Sequence, residues 1–158
     1  MRKYFLVSCV CCLTQMNCTK EVPVCCVIPE VINVQISYTN SAKADLLDPA
    51  TPNGIRKDDV DIYYLQNGVK TQVYYPNLDN PKNFRISQTG MGNKYFLVLW
   101  ASMHEDRNSI TTTYINVRNR FEDTLTAELV RSGGGRSVNK VWINGVQLNQ
   151  IDTVTLIR

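Results

Sequence analysis

The stretch Val60-Asp61-Ile62-Tyr63-Tyr64-Leu65-Gln66-Asn67-Gly68-Val69-Lys70-Thr71-Gln72-Val73-Tyr74-Tyr75 decides the fold class. Val60, Ile62 and Tyr64 alternate with more polar neighbours, and Val69, Thr71, Val73 and Tyr75 resume the alternation after Asn67-Gly68. Period two is the signature of a strand with one buried face. Asn-Gly between two such runs predicts a hairpin, because a type I′ turn needs positive φ at both central residues. A two-residue turn sets Ile62 opposite Val73 and Val60 opposite Tyr75, which makes that face core. Tyr63 and Tyr74 then share the other face as diagonal neighbours.

The same reading extends in both directions. Ile32, Val34, Ile36 and Tyr38 alternate with Asn33, Gln35, Ser37 and Thr39. Residues 40–58 hold Pro49, Pro52 and Gly54 among polar residues and predict a long loop. Phe84 and Ile86 form a further short run. Tyr95-Phe96-Leu97-Val98-Leu99-Trp100 has no alternation and predicts a central strand covered on both faces. Residues 110–117 are crowded with β-branched side chains, which favour strand. Leu125, Ala127 and Leu129 alternate, Gly133-Gly134-Gly135 marks a turn, and Asn144-Gly145 joins Val138–Ile143 to Val146–Leu148 in a second hairpin. Val154 and Leu156 belong to a last strand. Eight to ten short strands without an amphipathic helix predict an all-β protein. The expected architecture is an antiparallel β-sandwich of immunoglobulin-like or transthyretin-like kind, over residues 31–158. A closed barrel is the structural alternative. The strands are too short, and their second faces too weakly apolar, for a membrane barrel.

The amino terminus is different in kind. Arg2-Lys3 precedes the apolar run from Tyr4 to Leu13, and Thr14-Gln15-Met16-Asn17 turns polar before Cys18. A cationic start and a short apolar stretch are the layout of a signal peptide, here residues 1–17. The run is too short to span a bilayer as a helix. Cys18 followed by Thr19-Lys20-Glu21 resembles the processing point of a Bacteroidota lipoprotein signal. In that family the Cys becomes the lipidated first residue of the mature chain. The usual pattern has Leu three residues before the Cys and a small residue just before it; this chain has Gln15 and Asn17. Leu6-Val7-Ser8-Cys9 fits the letters better but leaves too little apolar segment before the Cys. Residues 18–30 are then the lipidated Cys and a tether.

The 158 residues carry a formal charge of +3 from 17 Lys+Arg and 14 Asp+Glu. Two of those three charges are Arg2 and Lys3 of the leader. A near-neutral body gives no argument for nucleic acid. All six Cys (Cys9, Cys11, Cys12, Cys18, Cys25 and Cys26) lie in the first 26 residues, so the body has neither a disulfide framework nor a Cys-based zinc site. On a strand, Cys25 and Cys26 would point to opposite faces and read as small apolar residues.

Chemistry is sparse. The single His is His104, in the loop Ser102-Met103-His104-Glu105-Asp106-Arg107-Asn108, where it reads as a solvated loop residue rather than a catalytic base. No HExxH, Gly-x-Ser-x-Gly, P-loop or GxGxxG pattern is present. Gly133-Gly134-Gly135-Arg136 lacks the strand-to-helix context of a phosphate loop. Asp45, Asp48, Asn53, Asp58, Asp59, Asp61, Glu105 and Asp106 supply oxygens for calcium or for glycosidase chemistry, but acidic loop residues serve more often as turn formers. No cofactor or metal is expected. Outward aromatics at Tyr63 and Tyr74 form a candidate binding face that stacks on sugar rings or a partner protein.

The run Asp45-Leu46-Leu47-Asp48-Pro49-Ala50-Thr51-Pro52, then Val60–Tyr64 with Asn67-Gly68, resembles uncharacterised surface lipoproteins of gut and oral Bacteroidota. The Cys18-Thr19-Lys20-Glu21 start and Lys140-Val141-Trp142-Ile143-Asn144-Gly145 are similar to them too. The resemblance implies export, a lipid anchor and a sandwich domain, and carries over no catalytic residue. The leading expectation is a non-enzymatic envelope lipoprotein at the outer membrane, on its periplasmic or surface face. It would have a binding or assembly role with a protein or a glycan. A small carbohydrate-active hydrolase using loop carboxylates is the alternative. A fibre subunit with an exposed edge strand is the third reading.

Overall fold

The computed structural model describes residues 32–88, 93–132, 135–149 and 153–158. The leader, Cys18, the tether and Cys25-Cys26 lie outside the described residues, as does most of the Gly133–Gly135 turn. The strands are β1 (Asn33–Thr39), β2 (Val60–Gln66), β3 (Val69–Gln72), β4 (Phe84–Gln88), β5 (Tyr95–Trp100), β6 (Ile110–Val117), β7 (Phe121–Ser132), β8 (Gly135–Ile143), β9 (Val146–Gln147) and β10 (Thr153–Ile157). They form a four-stranded sheet in the order β10-β1-β5-β4 and a six-stranded sheet in the order β3-β2-β6-β7-β8-β9. The protein is an all-β sandwich. Its pairs are antiparallel except β1 with β10, which run parallel, Ile36 opposite Val154 and Tyr38 opposite Leu156.

The period-two residues fill the space between the sheets. Val34, Ile36, Tyr38, Phe84, Leu97 and Leu99 from the smaller sheet are fully buried against Val60, Ile62, Ile115, Leu125 and Val141 from the larger one. Each such side chain contributes about 1.5–3 kcal/mol by leaving water. β5 is covered on both faces, as its unbroken apolar run requires. Leu97 and Leu99 point into the core, while Phe96 and Val98 are 8% and 6% exposed on the other side. There Lys94 Nζ lies 5.4 Å from the Phe96 ring and the Arg85 guanidinium 5.9 Å from Trp100. The long stems of these cations cover apolar surface while their heads stay wet.

Both Asn-Gly turns take the left-handed backbone that the sequence predicts. Asn67 and Asn144 have φ 51°, and Gly68 and Gly145 have φ 79°. The loop at 40–58 is held by its own acids and one arginine. Asp45 and Asp48 accept the backbone N–H groups of Leu47 and Ala50, and Arg56 donates to the carbonyls of Asp48, Pro49 and Thr51. Asp45 also accepts the Tyr95 N–H at 2.8 Å, which ties the loop to β5.

A buried carboxylate joins the sheets. Asp123 on β7 is 0% exposed and faces inward. Its carboxylate accepts the Tyr38 hydroxyl of β1 at 3.0 Å, the Asn144 amide at 2.6 Å, and the Arg158 guanidinium just beyond β10. Arg158 also lies 5.0 Å over Phe121, whose ring is 5.4 Å from Tyr38. The hydroxyl of Tyr38 is pushed far above the ordinary tyrosine range by burial.

Candidate functional site

The opening hairpin forms in the predicted register. Gln66 pairs with Val69 and Tyr63 with Gln72, and Val73 still donates its N–H to Ile62 at 2.9 Å. The ladder then ends. Tyr75 donates to Pro81 rather than facing Val60, and it is 43% exposed instead of belonging to the core. The reason is Pro76, which has no N–H to continue a ladder and restricts the residue before it.

This ending separates the two candidate tyrosines. Tyr63 stays on β2, where its direct cross-strand neighbour is Tyr114 of β6. Lys70 Nζ sits 5.0 Å from the Tyr63 ring centroid and 4.4 Å from that of Tyr114, and pairs with Glu122 at 2.6 Å. Tyr114 was missed in the sequence because pairing of β2 with β6 is long-range. Tyr74 lies beyond β3 and is 61% exposed. With Tyr75 and Leu78, the latter 53% exposed, it gives three exposed large apolar residues within five positions.

The carboxylates do not converge. Asp59 accepts the Arg56 N–H, and Asp106 accepts those of Asn108 and Ile110, as turn-forming acids do. Asp61 is buried between Arg118 at 2.8 Å and Lys82 at 2.8 Å. The Arg118 guanidinium, against the opposing effect of burial, holds its carboxyl below the usual range. Asp58 is exposed. Among the described residues no three His, Cys, Asp or Glu side chains are placed to hold a metal ion.

Glu105 and Asp106 do meet at a cavity. After Thr113 the hairpin β2–β3 splays from β6, and the segment after β5 takes its place, with Glu105 bridging to Thr111. One cavity of about 610 Å³ opens in this fork, lined by Leu65, Asn67, His104, Glu105, Asp106 and Arg107 among others. A smaller one of about 290 Å³ is lined by Gln66, Asn67, Met103, His104, Glu105 and Arg136. His104 is exposed, with its ring 6.4 Å from Tyr64; its backbone N–H donates to the buried Ser102 hydroxyl at 3.1 Å. Tyr64 donates to the Trp100 carbonyl at 2.6 Å, and burial pushes its hydroxyl up to about 12.

Arg131 and Arg136 reach the same Glu105 oxygen because of a bulge. The register of β7 with β8 shifts between Glu128 and Leu129, so that Asn139 and Lys140 both oppose Glu128. Asn139 donates to its carboxylate at 3.0 Å and Lys140 stands 3.6 Å away. Beyond the bulge β8 has switched faces, which puts Arg136 on the inner side together with its partner Arg131. Arg131 holds Glu105 Oε1 at 2.5 Å, and Arg136 stands 3.5 Å from the same atom. Glu105 Oε2 and Thr111 Oγ1 are buried without a hydrogen-bond partner among the described residues. No family model, curated protein or solved structure matches the chain.

Proposed function

We propose that the protein is a non-enzymatic lipoprotein of the cell envelope, held at the outer membrane through an acylated Cys18, whose β-sandwich binds a glycan or a protein partner. The exposed run Tyr74-Tyr75 with Leu78 carries the binding part of this reading. Two aromatic rings left in water side by side on one loop are suited to stack on sugar rings or on a partner surface. The leader and the Cys18-Thr19-Lys20-Glu21 start support the anchor. No helix among the described residues is long and apolar enough to cross a membrane. Acyl chains give about 0.8 kcal/mol per buried CH₂, enough for a multiply acylated Cys to serve as the attachment.

Two measurements test it. Intact mass of the membrane-extracted protein gives a chain beginning at Cys18 with acyl additions; an unlipidated chain defeats the anchor. A glycan screen on the full chain gives binding that Tyr74→Ala and Leu78→Ala weaken; binding unchanged in both removes the loop from the reading. The hydrolase alternative draws support from Glu105 and Asp106 lining one cavity. Cleavage of a screened glycan, lost in Glu105→Gln, would replace binding by catalysis.

A further inference from the structure

We propose that the smaller cavity, beside Glu105 and Arg136, is a subsite for a carboxylate carried on a sugar ring, a uronic acid residue, with Arg136 as the anion receptor. This site is separate from the Tyr74 loop and goes beyond it.

The charges in this corner do not balance. Among the described residues two guanidiniums, Arg131 and Arg136, pair with a single carboxylate, Glu105. Arg131 makes the close contact at 2.5 Å. Arg136, at 3.5 Å, lies outside the 2.7–2.9 Å range of a charge-assisted hydrogen bond. Among the described residues its fork makes no hydrogen bond, and its side chain is 43% exposed. A guanidinium fork fits a carboxylate in bidentate fashion. The bulge at Asn139 is what turns Arg136 to this side, so the placement is built into the strand pairing. Glu105, 17% exposed and gripped by Arg131, is the positioning residue that sets the electrostatic corner.

The rest of the lining suits a polyhydroxylated ring better than a bare anion. Gln66 and Asn67 bring side-chain amides that donate and accept, His104 brings an imidazole, and Met103 an apolar wall. A volume of about 290 Å³ is that of a single-ring subsite, at the lower end of ligand pockets. Among the described residues Glu105 Oε2, and Thr111 Oγ1 on the strand that Glu105 bridges to, are buried without a hydrogen-bond partner.

The test uses the full chain, a trimer of galacturonic acid, its methyl ester and sodium sulfate, followed by NMR shift titration. The ester keeps every ring and removes the charge at the cost of one added methyl group. The acid should bind at least about tenfold more tightly than the ester, the worth of one charge-assisted bond. That preference should vanish in Arg136→Gln and shrink as NaCl rises from about 0.05 M to about 0.5 M. Glu105→Gln keeps an acceptor for Arg131 but removes the competing charge, so the acid should bind a few-fold more tightly. A purely structural Glu105 would give no such gain. Thermal melts of both variants check that the fold persists. Equal binding of acid and ester, no binding by either, or sulfate binding as tightly as the acid would overturn the proposal. If the ester binds and Tyr74→Ala abolishes it while the acid shows no preference, the uronate subsite fails and the binding loop stands.

Discussion

Removing the Asp123 carboxylate should loosen the whole sandwich, and by an amount the geometry sets. Asp123→Ala strips the acceptor from three donors at once. Tyr38 is 0% exposed, so its hydroxyl is left unpaired in the core at about 1–3 kcal/mol. Arg158 is 26% exposed, so its guanidinium partly rehydrates and costs about 1 kcal/mol. Asn144 is exposed and turns to water at little cost. The sum is about 3 kcal/mol, or a melting point lower by about 10 °C for a domain of this size. Urea and thermal melts followed by circular dichroism measure it. The sharper readout is Asp123→Ala combined with Tyr38→Phe. Removing the orphaned hydroxyl should recover about 1 kcal/mol of the loss, since deleting both partners is cheaper than stranding one. A single variant within about 0.5 kcal/mol of the parent, or a double variant no more stable than Asp123→Ala alone, would refute the buried network as the inter-sheet clamp.

Other consequences follow from single groups. Asp61 is held below the ordinary aspartate range by Arg118 first and by Lys82, so its contribution is complete above about pH 4 and disappears as pH falls through the lowered value. Urea midpoints should therefore drop on acidification below that point, and Asp61→Asn should flatten that part of the profile. In an alkaline absorbance titration, Tyr64 should ionise only near 12, and Tyr64→Phe should remove that late step. Gly145→Ala meets no atom within 4 Å, so its cost comes only from φ +79°, about 1 kcal/mol by denaturant melt. A loss of several kcal/mol there would show that something other than backbone strain holds the turn.

The strands were legible because their signals are local. Val60, Ile62 and Tyr64 alternate over seven residues, and Asn67-Gly68 and Asn144-Gly145 demand positive φ wherever they sit. The hairpin register followed from turn length alone and held as far as Val73. It failed at Tyr75, where Pro76 ended a ladder that side-chain alternation would have continued. Asp45, Asp48, Asp59 and Asp106 were also readable as turn formers, since an Asx side chain reaches backbone N–H groups two or three residues away. The partners that matter elsewhere are far apart in sequence. Tyr114 meets Tyr63 across 51 positions of chain, and Arg158 meets Asp123 from the end of a parallel strand that no hairpin rule predicts.

The corner at Glu105 shows why alternation reads faces but not sites. Counted by parity from Ile143 and Val141, Arg136 falls on the solvent side of β8, with Trp142 and Lys140. One extra residue, Asn139, reverses the parity and sends Arg136 inward beside Arg131. Nothing in Ser137-Val138-Asn139-Lys140 announces the extra residue; it appears only when β8 is paired with β7 and Glu128 has two residues to face. The same bulge lets Val138 follow Val141 onto the core side, so the step that aims the arginine also keeps the apolar face continuous. Selection for packing alone would therefore preserve the bulge. Arg136 is 43% exposed and lies outside the apolar cluster, so an arginine there, beside a glutamate already paired with Arg131, is the part of this corner that packing does not explain.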